Sequence, residues 1–350
     1  MQNKIIKLLI VDDSAIDRQV ISKLLSKYQN IKVIGTAVDP YFARDKIVKL
    51  KPDVITLDIN MPKMDGLAFL ERLMKYYPMP VVVFSSFTPK ESDIALKAMD
   101  LGAMEVVCKP EAEDNIQNVY KELAKAIQSA GSTRINKYEG ASRSAASNYK
   151  QDKTGIISNQ TGNKVIAVGA STGGTVAIDA LLSAMPVNSP GIAIVQHMPE
   201  KFTASFAERL NERYQIAIRE ARDNDCLAPG VALVAPGNRH MILKQGIGGY
   251  LVKIIDGPRV HYQRPSVDVL FQSAAENAGP NAIGVLLTGM GSDGAQGLLK
   301  MHQNGAYTIA QDEKTSIVFG MPRVAIKLKA VDKVAPLPEI PGHIFAALNK

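Results

Sequence analysis

Along the first 130 residues, short β-branched runs alternate with stretches whose apolar positions recur every three or four residues. Lys7–Val11, Val33–Ala37, Val54–Leu57, Val81–Phe84 and Glu105–Val107 read as strands, and five such runs separated by helical patterns predict a parallel βα sheet. Ser14 is placed to cap a helix with Ile16, Val20, Ile21, Leu24 and Leu25 on one face. The pattern disappears between residues 131 and 164, where Ser, Asn, Gly and Thr dominate, and then returns. Val165–Gly169, Gly191–Gln196 and Ile283–Leu287 are unbroken apolar runs of the kind a sheet buries on both faces, each followed by a polar turn and a helical pattern. His240 opens a predicted hairpin. The expected architecture is α/β throughout: a five-stranded parallel sheet over residues 1–128, a polar linker over 129–163, and a doubly wound domain over 164–350 with a mostly parallel sheet and a β-hairpin.

A length of 350 residues suits two domains. The net charge of +7 invites a nucleic-acid reading, but residues 131–164 hold six basic and two acidic side chains, more than half of the excess. A solvated linker accounts for that charge, and neither flanking region has the basic face that phosphate contacts require, so no nucleic-acid partner is expected. No apolar run approaches the roughly 20 residues of a membrane span. Ile5–Val11 runs directly into Asp12 and Asp13 without a small-residue cleavage site, so a cytoplasmic protein with no membrane insertion is expected, and a monomer. Cys108 and Cys226 lie far apart in sequence and read as reduced thiols.

In a parallel sheet the ligand crevice opens at the carboxyl ends of the strands. Asp12, Asp13, Asp58, Ser85 and Lys109 all fall there. Singly, paired aspartates mark a turn and Lys-Pro a solvated loop; collected at neighbouring strand ends they describe a site. Three converging carboxylates call for a hard cation such as Mg²⁺, and with one Mg²⁺ and one lysine the formal charges cancel. Asp58 would attack a phosphoryl group, Lys109 would pair with the acyl phosphate, and Ser85 would donate to it. The motifs LLIVDDS, DVITLDINMPKMDG, VVVFSS and VVCKP resemble a two-component response-regulator receiver domain over roughly residues 4–125. The resemblance implies a flavodoxin-like fold, phosphorylation of Asp58 by a histidine kinase, and Mg²⁺ held by Asp13, Asp58 and the Asn60 carbonyl, with Asp12 acting through water. Val106 departs from the aromatic that many receivers carry there.

After Val165–Gly169 the chain reads Gly169-Ala170-Ser171-Thr172-Gly173-Gly174, a strand-turn-helix junction that can expose a serine hydroxyl or cradle a phosphate. The turn carries neither a dinucleotide fingerprint nor a Walker lysine. His197 directly follows Gly191–Gln196, and Asp293 follows Ile283–Leu287 within Gly291-Ser292-Asp293-Gly294. Alone, each has an ordinary explanation, a loop histidine or a helix cap. Ser, His and Asp at three strand ends supply the nucleophile, base and orienting acid of acyl transfer. Among the other histidines, His240 is expected to tolerate Gln with most activity kept, and Ser266 and Asp268 in Arg264-Pro265-Ser266-Val267-Asp268 read as a structural helix start.

The segments AVGASTGG, IVQHMPEKFTASFAERL, VALVAPGNRHM, RPSVDVLF, LLTGMGSDGAQGL and AQDEKTSIVFGMP resemble the catalytic domain of the chemotaxis protein-glutamate methylesterase family, CheB. The resemblance implies a phosphorylation-activated hydrolase that demethylates glutamate γ-methyl esters on methyl-accepting chemoreceptors and deamidates receptor glutamines. It places Ser171, His197 and Asp293 on the catalytic positions, with Thr172 and the Met290 N–H supporting substrate and oxyanion, and asks for no metal or cofactor in the hydrolysis. A silent binding module and a receiver-controlled transcription factor are the competing classes. The three catalytic residue types argue against the first, and βα alternation in place of a terminal helix-turn-helix argues against the second.

Overall fold

The computed structural model describes residues 5–61, 65–87, 92–111, 115–132 and 163–349. The chain divides into two compact units, Met1–Gly140 and Ala141–Lys350. Most of the expected linker, residues 133–162, lies outside the described residues, and the last helix of the first unit runs on to Ser132, four residues past the expected boundary.

In the first unit, β1 (Ile6–Val11), β2 (Ile31–Ala37), β3 (Val54–Leu57), β4 (Val81–Ser85) and β5 (Glu105–Cys108) form a parallel sheet in the order β2-β1-β3-β4-β5. Five helices alternate with them: α1 (Ala15–Leu25), α2 (Pro40–Leu50), α3 (Gly66–Tyr76), α4 (Ser92–Asp100) and α5 (Ile116–Ser132). Strand order reverses at β1, which sends one connection to each side and leaves a crevice at the β1 and β3 ends, where Asp12 and Asp58 stand. Ser14 caps α1 by accepting the Asp17 N–H at 3.2 Å. The expected apolar face of α1 is narrower than its sequence pattern. Ile21 and Leu25 are buried, but Ile16 is 73% exposed and Val20 is also exposed. The 16/20 stripe is rotated by one residue, about 100°, from the 21/25 stripe, and the sheet covers only the latter.

The second unit continues with β6 (Val165–Ala170), α6 (Gly174–Ser183), β7 (Gly191–Gln196), α7 (Glu200–Arg213), β8 (Ala217–Glu220) and β9 (Val231–Val234). The hairpin β10 (His240–Gly246) and β11 (Gly249–Ile255) follows, then α8 (Val267–Asn277), β12 (Ala282–Leu286), α9 (Ala295–Gln303), β13 (Tyr307–Gln311), α10 (Met321–Lys327), β14 (Lys333–Ala335) and α11 (Ile340–Leu348). Seven strands make one sheet, β14-β13-β12-β6-β7-β9-β8, parallel at every pairing; the hairpin is antiparallel and separate. Buried Met241, Leu243 and Val252 of the hairpin join Leu270, Phe271 and Ala274 of α8 in one apolar core.

Val267, the first residue of α8, is wedged between two glycines. A Cβ on Gly169 would lie 2.1 Å from Val267 Cγ1, and one on Gly294 would lie 2.5 Å from the same atom. This close packing brings the start of α8 against both the β6 end and the turn after β12. Gly169→Ala is therefore expected to destabilise the second unit by about 1–3 kcal/mol through overpacking. Gly342→Ala, on the exposed side of α11 with nothing within 4 Å, is expected to be neutral or stabilising by up to about 1 kcal/mol. Urea unfolding midpoints of the two variants check the contrast, and equal midpoints would exclude the wedge.

Candidate active site

Ser171 stands one residue beyond β6, 8% exposed, with its N–H donating to the Thr288 carbonyl at 3.0 Å. The chain then turns through Gly173, whose φ of +77° favours glycine, and the Gly174 N–H closes the turn on the Ser171 carbonyl at 2.6 Å. A Cβ on Gly174 would fall 2.1 Å from Gln196 Oε1, so the turn needs glycine for space as well. On the neighbouring strand the His197 N–H donates to the Ala170 carbonyl at 3.1 Å, and Ala170 pairs with Gln196 in the β6–β7 ladder. Ser171 and His197 therefore occupy successive places on adjacent strand ends. The buried Gln196 ties them together, its Nε2 donating to both the Ser171 and His197 carbonyls at 3.0 Å.

His197 Nε2 lies 2.7 Å from Asp293 Oδ2. Its other nitrogen, Nδ1, is buried without a hydrogen-bond partner among the described residues, as is Gln196 Oε1. The structure brings His197 and Asp293 into contact and places Ser171 beside them without a serine–imidazole hydrogen bond. With Nε2 engaged by the acid, Nδ1 is the ring position left to receive a proton.

Asp293 is 2% exposed and sits between Gly291 and Gly294, both at positive φ. Its Oδ1 accepts from Ser266 Oγ at 2.7 Å and from the Asp268 and Gly294 N–H groups at 3.0 Å. Its Oδ2 accepts from the Val267 N–H at 2.8 Å besides His197. Burial pushes the carboxyl upward, but the His197 contact and charge, with the α8 donors, outweigh it and hold Asp293 below the ordinary carboxylate range. Ser266 does cap α8, accepting from Val269 N–H at 3.5 Å, yet its hydroxyl also holds the acid. Asp268 likewise does more than favour the helix dipole. It accepts the Gly297 N–H at 2.6 Å and meets His261 Nε2 at 3.0 Å, and burial, with the charge of Asp293, raises its pKa.

Between β12 and Asp293 the turn is fixed by Gly289, whose N–H donates to Val318 and whose carbonyl accepts from Gly320 and Met321. A Cβ on Gly289 would come within 2.7 Å of Ser171 Cβ, so this turn lies against the serine. The next N–H, that of the exposed Met290, has no hydrogen-bond partner among the described residues. Thr172 is buried, its carbonyl accepting from Thr288 Oγ1 at 3.0 Å. Gln311 braces the same turn by accepting the Thr288 N–H at 2.8 Å.

The acidic crevice of the first unit is equally constructed. Asp58 Oδ1 accepts from Ser85 Oγ and from the Asn60 N–H, and Oδ2 pairs with Lys109 Nζ at 2.6 Å. Lys109 also reaches Asp12 at 2.8 Å and Asp17 at 2.7 Å. Asp12, Asp13 and Asp58 each offer an oxygen within 4.8 Å of the others. Asp17 was not among the sequence candidates. It makes a fourth carboxylate, so the charge balance expected from three carboxylates, one Mg²⁺ and one lysine becomes −1. Burial would lower Lys109, but its three carboxylate partners raise it instead. Asp12 is raised by burial and by Asp58, which Lys109 only partly offsets. Val106 is buried in β5, and the aromatic in electrostatic reach of Asp17 and Lys109 is Tyr120 of α5, edge-on to Phe84 at 5.7 Å.

Residues 166–344 match the family described as CheB methylesterase, and residues 8–121 match the response regulator receiver domain. The chain is 53% identical over 341 residues to protein-glutamate methylesterase/protein-glutamine glutaminase 2 of Syntrophus aciditrophicus (strain SB), covering 97% of this chain and 98% of that one. It is 46% identical over 346 residues to the protein-glutamate methylesterase/protein-glutamine glutaminase of Salmonella typhi, covering 98% and 97%. Among solved structures, the Thermotoga maritima CheB methylesterase catalytic domain is similar with a TM-score of 0.51 at 37% identity, over 53% of this chain and 98% of that one. With relatives matched along almost their whole length, the chain belongs to the CheB methylesterase family, carrying a receiver domain ahead of its methylesterase domain.

Proposed function

We propose that the chain is a phosphorylation-activated serine hydrolase that removes methyl groups from glutamate γ-methyl esters of chemoreceptors and deamidates receptor glutamines. The observation that carries this reading is the His197–Asp293 contact at 2.7 Å, with His197 Nδ1 buried and unpaired beside the end of the strand that bears Ser171. Ser171 Oγ attacks the γ-carbonyl carbon as its proton passes to Nδ1, and Asp293 stabilises the imidazolium through Nε2. The developing oxyanion takes the Met290 N–H, with Thr172 in support; one such donor is typically worth about 10²–10³ in kcat. Nδ1 returns the proton to the methoxide oxygen, or to the amide nitrogen of glutamine, as the acyl C–O or C–N bond breaks, which releases methanol or ammonia and leaves the glutamyl group esterified to Ser171. Water then enters by the same base and frees the glutamate.

Asp58 is the proposed phosphoryl acceptor and a chemotaxis histidine kinase the donor. The acidic crevice fits a divalent cation: three carboxylates lie within reach of one another, and burial and mutual repulsion disfavour the charge on Asp12. Asp12, Asp13 and Asp58, with the Asn60 carbonyl, would hold Mg²⁺, which neutralises phosphoryl oxygens during transfer. Ser85 and Lys109 already hold the two Asp58 oxygens, so phosphorylating either one to the acyl phosphate forces at least one of them to rearrange. No helix among the described residues is long and apolar enough to cross a membrane, in keeping with action on receptor segments exposed to the cytoplasm.

Ser171→Ala is expected to cut methanol release from methylated receptor membranes by on the order of 10⁵–10⁶ while leaving Asp58 phosphorylation intact. Retention of more than about a tenth of the activity points to another nucleophile.

The pH dependence has a defined sign. Asp293 is held below the ordinary carboxylate range by His197 and the α8 donors, so its charge survives to lower pH than that of an ordinary carboxyl group. kcat/KM is expected to climb with pH, because only neutral imidazole can accept the serine proton, to a plateau that Asp293→Asn lowers by about 10⁴. A flat profile between about pH 5 and 8 would exclude a histidine base.

For the receiver, a small-molecule phosphodonor is expected to raise wild-type esterase activity in Mg²⁺ and not in EDTA, whereas basal hydrolysis survives EDTA. Asp58→Asn removes the response. A response that persists in Asp58→Asn assigns phosphorylation elsewhere.

A further inference from the structure

The orientation of Asp293 is inherited from α8. Of the five donors that meet its carboxylate, three belong to the first turn of that helix: Ser266 Oγ, Val267 N–H and Asp268 N–H. Their position depends on where the backbone of Ser266 is held. Its N–H is not spent within the helix, because the first N–H groups of any helix have no partner inside it. It donates instead to Nδ1 of His240, at 3.2 Å. His240 is 2% exposed, at the start of β10, and its Nε2 meets the Pro258 carbonyl at 2.9 Å.

These two contacts select one tautomer. Nδ1 must be bare to accept an N–H, and Nε2 must carry the proton to donate to a carbonyl. Both ring nitrogens are then occupied, which removes His240 from consideration as a base. We propose that His240 is a positioning residue for the hydrolytic reaction: through the Ser266 N–H it sets the start of α8, and through α8 it sets the oxygen of Asp293 that meets His197. This replaces the sequence-based expectation that position 240 accepts glutamine freely. The proposal rests on the serine-hydrolase reading of Ser171, His197 and Asp293.

Two substitutions separate the ring's functions. In His240→Asn the amide oxygen can stand near the former Nδ1 and accept the Ser266 N–H, while the Pro258 contact is lost. In His240→Gln the amide reaches towards the former Nε2 and can still meet Pro258, but the Ser266 N–H is left buried without an acceptor. A residue that merely fills space would respond to both alike.

The test measures methanol release by the full-length chain from methylated receptor membranes, with thermal unfolding of each variant alongside. His240→Gln is expected to lower kcat by up to about 100-fold with KM little changed, the loss that misplacement of an orienting group brings, and His240→Asn to recover most of that loss. In the Asp293→Asn background, His240→Gln is expected to cost less than about twofold, because its route to the chemistry has already been cut. Equal losses in the Gln and Asn variants, no loss in either, or an undiminished effect of His240→Gln in the Asp293→Asn background overturns the proposal. If Asp293→Asn alone leaves kcat unchanged, the triad reading itself is wrong, an outcome distinct from failure at His240. Should His240→Gln unfold below the assay temperature, His240→Asn carries the test alone: it must keep most of the wild-type kcat, and a loss greater than about tenfold overturns the proposal.

Discussion

A carboxylate almost wholly removed from water persists as an anion only where donors replace its hydration, and Asp293 meets that condition with five of them. They come from three separate parts of the chain: the β7 end, the start of α8 and the residue following Asp293. Satisfying one buried charge thus forces three segments distant in sequence to meet. The Val267 wedge against Gly169 and Gly294 is the packing side of the same requirement, since the α8 turn could not donate from farther away. Gln196 closes the remaining edge by binding the Ser171 and His197 carbonyls to a single side chain.

The two sites handle charge in opposite ways. Around Asp293 each carboxylate oxygen is met by protein donors, so its charge is matched and its orientation fixed from within the second unit. Around Asp58 one lysine is shared among Asp12, Asp17 and Asp58, and negative charge remains in excess. That excess makes the crevice responsive. A cation or a phosphoryl group bound there, as proposed, would change the partners of Lys109 and Ser85, whereas both oxygens of Asp293 already have protein donors.

What the sequence made legible was the carboxyl edge of each sheet. Unbroken apolar runs ending in Asp12, Asp58, Ser171 and His197 locate strand ends, and parallel topology brings those ends together, so proximity follows from pattern alone. Contacts arriving from other layers were not legible. Asp17 lies on the first turn of α1, where it looks like an ordinary helix acid; Ser266 looks like an ordinary cap; Gln196 looks like the last residue of a strand. Each has a sufficient local explanation, and only the packing of helix against strand reveals the second role. The overextended apolar face of α1 fails for a related reason. Periodicity reports which residues share a face, and the neighbouring layer decides how much of that face is covered.

The choice of Nε2 for the acid has a mechanical consequence. Nδ1 is attached directly to Cγ, nearer the main chain than Nε2, so the proton acceptor works on a short lever arm. Swings of the side chain about Cα–Cβ displace it less than they would displace the distal nitrogen, the Nε2 contact with Asp293 opposes rotation of the ring about Cβ–Cγ, and the Ala170–His197 backbone bond anchors the lever to a central strand pair. The His197 ring is thereby held at both its backbone and its Nε2, and the group left free to adjust is the Ser171 hydroxyl, which turns about its Cα–Cβ bond.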